Sequence, residues 1–241
     1  MKHLFLLVIS FILISCGGGS LRVKTPSELS DLNHSIAALV APTTVDDLSR
    51  HRIYCTGTFI SRNTVLTAAH CVDDPLFGEV NIVGSKVRLG TYKDYMETGG
   101  SFSGGRYHQF QVVAFNSKHD LALLRLSPGE FSFFYRNVMP MAPLAPVTGE
   151  NVSVIGHPNG LGWTLTHGVV SQGQRAGWGE GELDPVPYIQ HSAQVFYGNS
   201  GGPVINSDNE LVGVVSQGGP WHIGMSIHLS AVKSFVLSEL I

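Results

Sequence analysis

From Ile36 onward, the apolar residues of this chain come in short runs, each closed by a cluster of turn-forming residues, and no long stretch keeps a helical period. Ile36–Val40, Ile53–Ile60, Val65–Ala69, Val80–Leu89, Phe110–Phe115 and Leu121–Leu126 make a first set. Asn151–Gly156, Leu165–Ser171, Pro187–His191, Pro203–Ile205, Leu211–Gln217 and Gly224–His228 make a second. Strands this short and this regularly punctuated bury their apolar faces by closing into barrels or stacking as a sandwich, which commits the chain to an all-β fold. The 28 glycines and 12 prolines supply the turns, and 43% hydrophobic residues supply a core. Between about 128 and 150 the period is lost and Pro140, Pro143 and Pro146 accumulate, which reads as a crossing between two halves. The aromatic cluster Phe131–Tyr135 within it reads as core filling or interdomain packing. After the second set, Ser230 is placed to cap a short helix over 230–241, with Val232, Phe235, Val236 and Leu240 along one side.

The N-terminus has another character. Met1-Lys2-His3 followed by the apolar run Leu4–Ile14 has the pattern of a secretory signal and is too short to span a bilayer comfortably. The run ends in Leu13-Ile14-Ser15-Cys16-Gly17, which resembles a bacterial lipobox. That resemblance implies removal of residues 1–15, lipidation of Cys16 and a membrane anchor, each buried acyl methylene adding about 0.8 kcal/mol. No aspartate follows Cys16, which resembles the outer-membrane sorting pattern, so an exported protein of the bacterial envelope is expected. Residues 16–35, beginning Gly17-Gly18-Gly19-Ser20, read as a flexible tether.

Composition excludes several partners. A net charge of −3 without a basic cluster argues against nucleic acid. The 11 histidines are scattered, with no H-E-x-x-H helix or C-x-x-C pair, so neither a metal nor a cofactor is expected.

The chemistry centres on Gly198-Asn199-Ser200-Gly201-Gly202-Pro203. A serine hydroxyl is a weak nucleophile that needs a base for its proton and donors for the oxyanion it creates. Glycine lets a substrate approach the backbone, so the amides of Gly198 and Ser200 are candidates for one oxyanion site. Alone, the stretch is as good a turn between strands. Upstream, however, Val65-Leu66-Thr67-Ala68-Ala69-His70-Cys71 ends an apolar run in a histidine, and His119-Asp120-Leu121-Ala122-Leu123-Leu124 opens another with an aspartate that is costly to bury unpaired. In the order His70, Asp120, Ser200 these words resemble the catalytic motifs of the trypsin/chymotrypsin-like serine proteases, over about Ile36–Val236. The same serine fits the G-x-S-x-G elbow of α/β-hydrolases, but that fold needs its acid and histidine after the serine, in alternating strands and helices that this tail lacks. A serine esterase, and a silent binding or chaperone-like lipoprotein on the same scaffold, are the alternatives to an endopeptidase acting on proteins or peptides.

The resemblance implies two six-stranded antiparallel barrels (about 36–127 and 151–229), with His70 as base, Asp120 orienting it and Ser200 as nucleophile. It implies that a Cys55–Cys71 disulfide braces His70, an oxidised pair that an exported chain favours; closing such a loop contributes about 3 kcal/mol. Val215-Ser216-Gln217-Gly218 matches the strand that pairs with substrate backbone, with Ser216 supporting Asp120 and Gln217 standing where an aromatic residue is usual. Gln194 matches the base of the primary pocket, which argues against a preference for Arg or Lys and for a neutral or moderately apolar side chain. His191 and His222 are the histidines to consider for an acidic one. Asn199 replaces the aspartate that pairs with a new N-terminal ammonium in digestive relatives, so an oxyanion loop formed without proteolytic activation is expected. No PDZ-like module is expected after the catalytic region.

Overall fold

Alternating burial along the strands shows how the barrels form. In the strand over His108–Asn116, Phe110, Val112 and Ala114 are buried while the residues between them are half-exposed, the period of two that an antiparallel sheet with one wet face requires. A computed structural model describes residues 24–42, 51–73, 83–102, 106–130, 137–176, 186–219 and 223–240. The first barrel comprises β1 (Ile36–Pro42), β2 (His51–Phe59), β3 (Thr64–Thr67), β4 (Lys86–Thr91), β5 (His108–Asn116) and β6 (Leu121–Leu126), closed in the order β1-β2-β3-β6-β5-β4. The second comprises β7 (Asn151–Gly156), β8 (Thr164–Ala176), β9 (Pro187–His191), β10 (Pro203–Ile205), β11 (Leu211–Gly218) and β12 (Gly224–His228), closed as β10-β11-β12-β9-β8-β7. All named pairings are antiparallel, so the expected all-β double barrel is the fold. Among the described residues, three α-helices accompany the barrels: α1 (Pro26–His34), α2 (Tyr92–Glu97) and α3 (Leu229–Leu240).

Each barrel has its own core. Leu39, Phe59, Val65, Leu89, Phe110 and Leu124 fill the first, and Val152, Val154, Val170, Ile189, Val212 and Val215 fill the second. A third layer joins them: Leu66 and Leu123 of barrel one meet Ile155, Ile205, Leu211 and Ile227 of barrel two, with Val232, Phe235 and Val236 of α3 packed into the same cluster. Burial of such side chains contributes about 1.5–3 kcal/mol each, so this layer fixes how the barrels face one another. The crossing segment is stitched to both: Met139 N–H donates to Phe59 O of β2, while Leu211 N–H donates to Pro140 O and Ala142 N–H to Leu211 O.

Several expectations need correction. The tether assigned to 16–35 is helical in its second half. Thr25 and Glu28 form a reciprocal capping box, Pro26 takes the first helical position, and Leu32 is buried against the core. The signal was in the sequence as Thr25-Pro26-Ser27-Glu28, and one buried leucine in a polar segment hid it. Ser230 does not cap α3. The helix begins at Leu229, and His228 Nδ1 accepts from Ser230 N–H (3.1 Å) and lies 2.8 Å from its hydroxyl. β4 starts at Lys86, after a turn at Val83–Ser85 in which Gly84 has φ +100°, and β8 runs on to Ala176 through irregularities at Val170/Gln172 and Gln172/Arg175. Residues 1–15, Cys16, Val80, Phe131–Tyr135 and His222 lie outside the described residues.

Candidate active site

Barrel one supplies a base already paired with its carboxylate. His70 lies in a single 3-10 turn after β3, and Cys71 beside it is bonded to Cys55 of β2, the expected disulfide. Asp120 opens β6 from a tight turn in which Asp120 N–H donates to Ser117 O and His119 N–H to Asn116 Oδ1. Its φ of +51° is rare outside glycine, although aspartate tolerates it better than most, and such strain concentrates at functional sites. The turn aims the carboxylate at His70: Nδ1 lies 2.9 Å from Oδ1 and 3.0 Å from Oδ2, and the His70 backbone N–H donates to Oδ1 at 3.0 Å. A carboxylate accepts, so in the neutral imidazole that a base requires Nδ1 carries the hydrogen and Nε2 keeps the lone pair. Across the barrel boundary, Ser216 Oγ of β11 donates to Asp120 Oδ2 at 2.5 Å.

Barrel two supplies the serine. Gly198 has φ +96° and Gly201 φ +80°, and a Cβ on Gly198 would sit 2.2 Å from His157 O, so the loop between β9 and β10 can only be built on glycine there. Asn199 N–H donates to Phe196 O and Gly202 N–H to Asn199 O, which folds the loop into two consecutive turns. Among the described residues, neither the Gly198 nor the Ser200 backbone N–H has an acceptor within the protein. Ser200 Oγ likewise has no hydrogen-bond partner among the described residues, so the Ser200–His70 hydrogen bond is not formed in this structure. Hydrogen bonds of this kind are often long in a free enzyme and tighten on substrate.

His70 and Ser200 both line one cleft of about 740 Å³ between the barrels. Its barrel-two wall runs through Val195–Gly198 and Val215–Gly219, and its barrel-one wall through Arg52–Cys55. Ser216, Gln217 and Gly218 therefore flank the serine. Gln194 does not line the cleft. Gln194 is exposed between the buried Ala193 and Val195, and its carbonyl takes the Thr166 hydroxyl at 2.9 Å. His191 is also outside the cleft: it is fully buried against Gly224, with Nε2 2.8 Å from Ser226 Oγ, and burial pushes its pKa down to about 4. Among the described residues no carboxylate lines the cleft, whereas Arg52 and His70 do.

The ligand atoms of Cys55, His70 and Cys71 lie within 4.8 Å of one another, but disulfide sulfurs are not thiolates, so the group does not constitute a metal site. Asn199 is buried at 1% exposure, and its Oδ1 has no hydrogen-bond donor among the described residues. Residue-by-residue reading missed the support behind the loop. Thr56 of β2 and Asn159 in the 3-10 turn after β7 hydrogen-bond it, His157 bonds the Thr56 hydroxyl from behind, and burial pushes the His157 pKa down to about 3.

The chain belongs to the trypsin-like peptidase domain family, whose model matches residues 55–214. It is 34% identical over 136 residues to the mitochondrial serine protease HTRA2 of Drosophila virilis, covering 56% of this chain and 31% of that protein. It is 35% identical over 117 residues to the serine protease HTRA1 of Xenopus laevis, covering 46% of this chain and 24% of that protein. The chain thus spans under a third of the length of these relatives. Among solved structures, the active form of the Rv3671c protease from M. tuberculosis superposes with a TM-score of 0.63 at 20% identity, over 89% of this chain and 87% of that one. The serine endoprotease from Yersinia pestis superposes with a TM-score of 0.61 at 22% identity, over 91% of this chain and 68% of that one. These two likenesses concern the fold.

Proposed function

We propose that the protein is a serine endopeptidase in which Ser200 is the nucleophile, His70 its base and Asp120 the group that orients His70. The observation that carries this is His70, held through Nδ1 by both oxygens of Asp120, lining one cleft with Ser200, whose own amide and that of Gly198 have no acceptor among the described residues. The Ser200 hydroxyl adds to a peptide carbonyl as its proton passes to His70 Nε2, and the charge gathering on the carbonyl oxygen is met by the Gly198 and Ser200 amides. His70 then returns the proton to the leaving amine, which leaves an acyl-enzyme. Water, deprotonated by the same imidazole, releases the acid. Asp120 remains ionised throughout and stabilises the transient imidazolium. Membership of the peptidase family and the relatives named as serine proteases support the same reading.

The substrate backbone lies along Ser216–Gly218, and the residue before the scissile bond enters beside Val195, Phe196 and Val215. Among the described residues that wall has no anion, so it favours a neutral or moderately apolar side chain over Arg or Lys. The neutral Asn199 at a buried position supports an oxyanion loop that forms without cleavage of the chain. Cys16 is the lipidation site in this account, and the domain works at a bacterial envelope membrane. Cleavage of a peptide library by the purified protein, with Ser200→Ala alongside, tests the proposal: loss of cleavage with thermal stability held within about 1 kcal/mol supports it, and retained turnover ends it.

A further inference from the structure

We propose that Thr56 and His157 form a buried positioning pair that, by holding the Gly198 carbonyl while Asn159 holds the preceding peptide plane, fixes the Gly198 backbone and with it the strength of the oxyanion site. This rests on the serine endopeptidase reading above. The Gly198 N–H belongs to the Tyr197–Gly198 peptide plane, and the Tyr197 carbonyl of that plane accepts from Asn159 N–H at 2.6 Å. The peptide is trans, so pinning its carbonyl toward Asn159 turns its N–H the other way. Asn159 can reach it because the turn carries φ +51° at Asn159 and +79° at Gly160.

The next plane is held from barrel one. Thr56 Oγ1 donates to Gly198 O at 2.6 Å, while the Thr56 backbone N–H donates to Ser200 O at 2.9 Å. One residue therefore grips the carbonyls on both sides of Asn199. Gly198 has no Cβ to restrict it, so its φ and ψ are set by what holds the two flanking planes, and the Thr56 hydroxyl holds the second.

His157 fixes that hydroxyl. Its Nδ1 lies 2.8 Å from Thr56 Oγ1. A carbonyl cannot donate, so the single hydroxyl proton must point at Gly198 O, and the bond to His157 must be Nδ1–H donating to Thr56. The imidazole is fully buried and stands perpendicular to Trp163 at a centroid distance of 4.5 Å, and Trp163 Nε1–H donates in turn to Asn33 O of α1 at 3.0 Å. Burial keeps His157 neutral down to about pH 3, so this direction of donation persists wherever the enzyme works. Neither Thr56 nor His157 lines the cleft, so both act through Gly198 and touch no substrate.

The test is steady-state kinetics of the full chain on a cleaved peptide, together with inhibition by the corresponding peptide aldehyde, whose adduct places an oxygen in the oxyanion site. Thr56→Val keeps the shape and removes the donor. It is expected to lower kcat by about 10- to 100-fold with KM little changed, and to weaken the aldehyde in parallel. Thr56→Ser restores the donor and most of kcat. His157→Phe leaves the hydroxyl without its fixed orientation and lowers kcat less than Thr56→Val does. If thermal unfolding shows that Thr56→Val does not fold, His157→Phe carries the test. Full kcat in the valine variant, or failing that in the phenylalanine variant, or a serine variant as poor as the valine one, overturns the positioning pair while leaving the endopeptidase intact. Wild-type protein without Ser200-dependent cleavage overturns the endopeptidase reading itself.

Discussion

Acid should unfold this protein through two buried histidines, neither of which lines the cleft. His157 and His191 are fully buried, and burial pushes their pKa values from 6.5 down to about 3 and about 4. The unfolded chain takes up a proton at each site as pH falls through 6.5, whereas the folded chain does not until the lower values are reached. The folded state therefore binds fewer protons, and stability is full above about pH 6.5 and lost as pH falls below it. Near pH 5 the two sites together steepen the loss to about 2.5 kcal/mol per pH unit, and between pH 7 and pH 5 each removes roughly 2 kcal/mol, a large share of an ordinary domain's 5–15 kcal/mol. Urea unfolding at pH 7, 6 and 5 measures this. His191→Gln can still bond Ser226 and His157→Gln can still donate to Thr56. Each variant is expected to be less stable at pH 7 but to flatten the pH slope by about 1.4 kcal/mol per unit. Slopes as steep in both variants as in wild type would refute the reasoning.

Asn199→Asp places a carboxylate where the present side-chain oxygen is buried and has no donor among the described residues, and is expected to cost about 3 kcal/mol or more at neutral pH; an unchanged melting temperature contradicts this. Gly198→Ala sets a Cβ 2.2 Å from His157 O at φ +96°, so kcat should fall by roughly 100-fold or more, and near-normal turnover would show that the loop has another geometry. Replacing Cys55 and Cys71 together by alanine opens the loop behind His70 and should remove about 3 kcal/mol, read by urea unfolding under non-reducing conditions.

The barrels were legible because a strand writes its two faces into alternate residues, as Phe110, Val112 and Ala114 do, and because turn clusters punctuate each one. The candidate triad was legible because three unrelated words, around His70, Asp120 and Ser200, each carried a residue type that is awkward in its local setting. The support behind it was not. Thr56 and His157 are 101 positions apart, each unremarkable beside its neighbours, and their bond exists only once two barrels have closed and docked. Gln194 shows a related limit, since counting back from Ser200 gives a position along the chain but not whether that residue lines the cleft, and here it does not. Helix α1 escaped because it buries little besides Leu32, so it shows no apolar stripe, and only its capping box announces it.

The most direct measurement is labelling of the intact protein with a fluorophosphonate, followed by mass-spectrometric mapping of the adduct. The account predicts a single phosphonylated residue, Ser200, with labelling lost in His70→Ala and strongly slowed in Asp120→Asn. Labelling that maps elsewhere, or that proceeds at the wild-type rate without the imidazole, would contradict it.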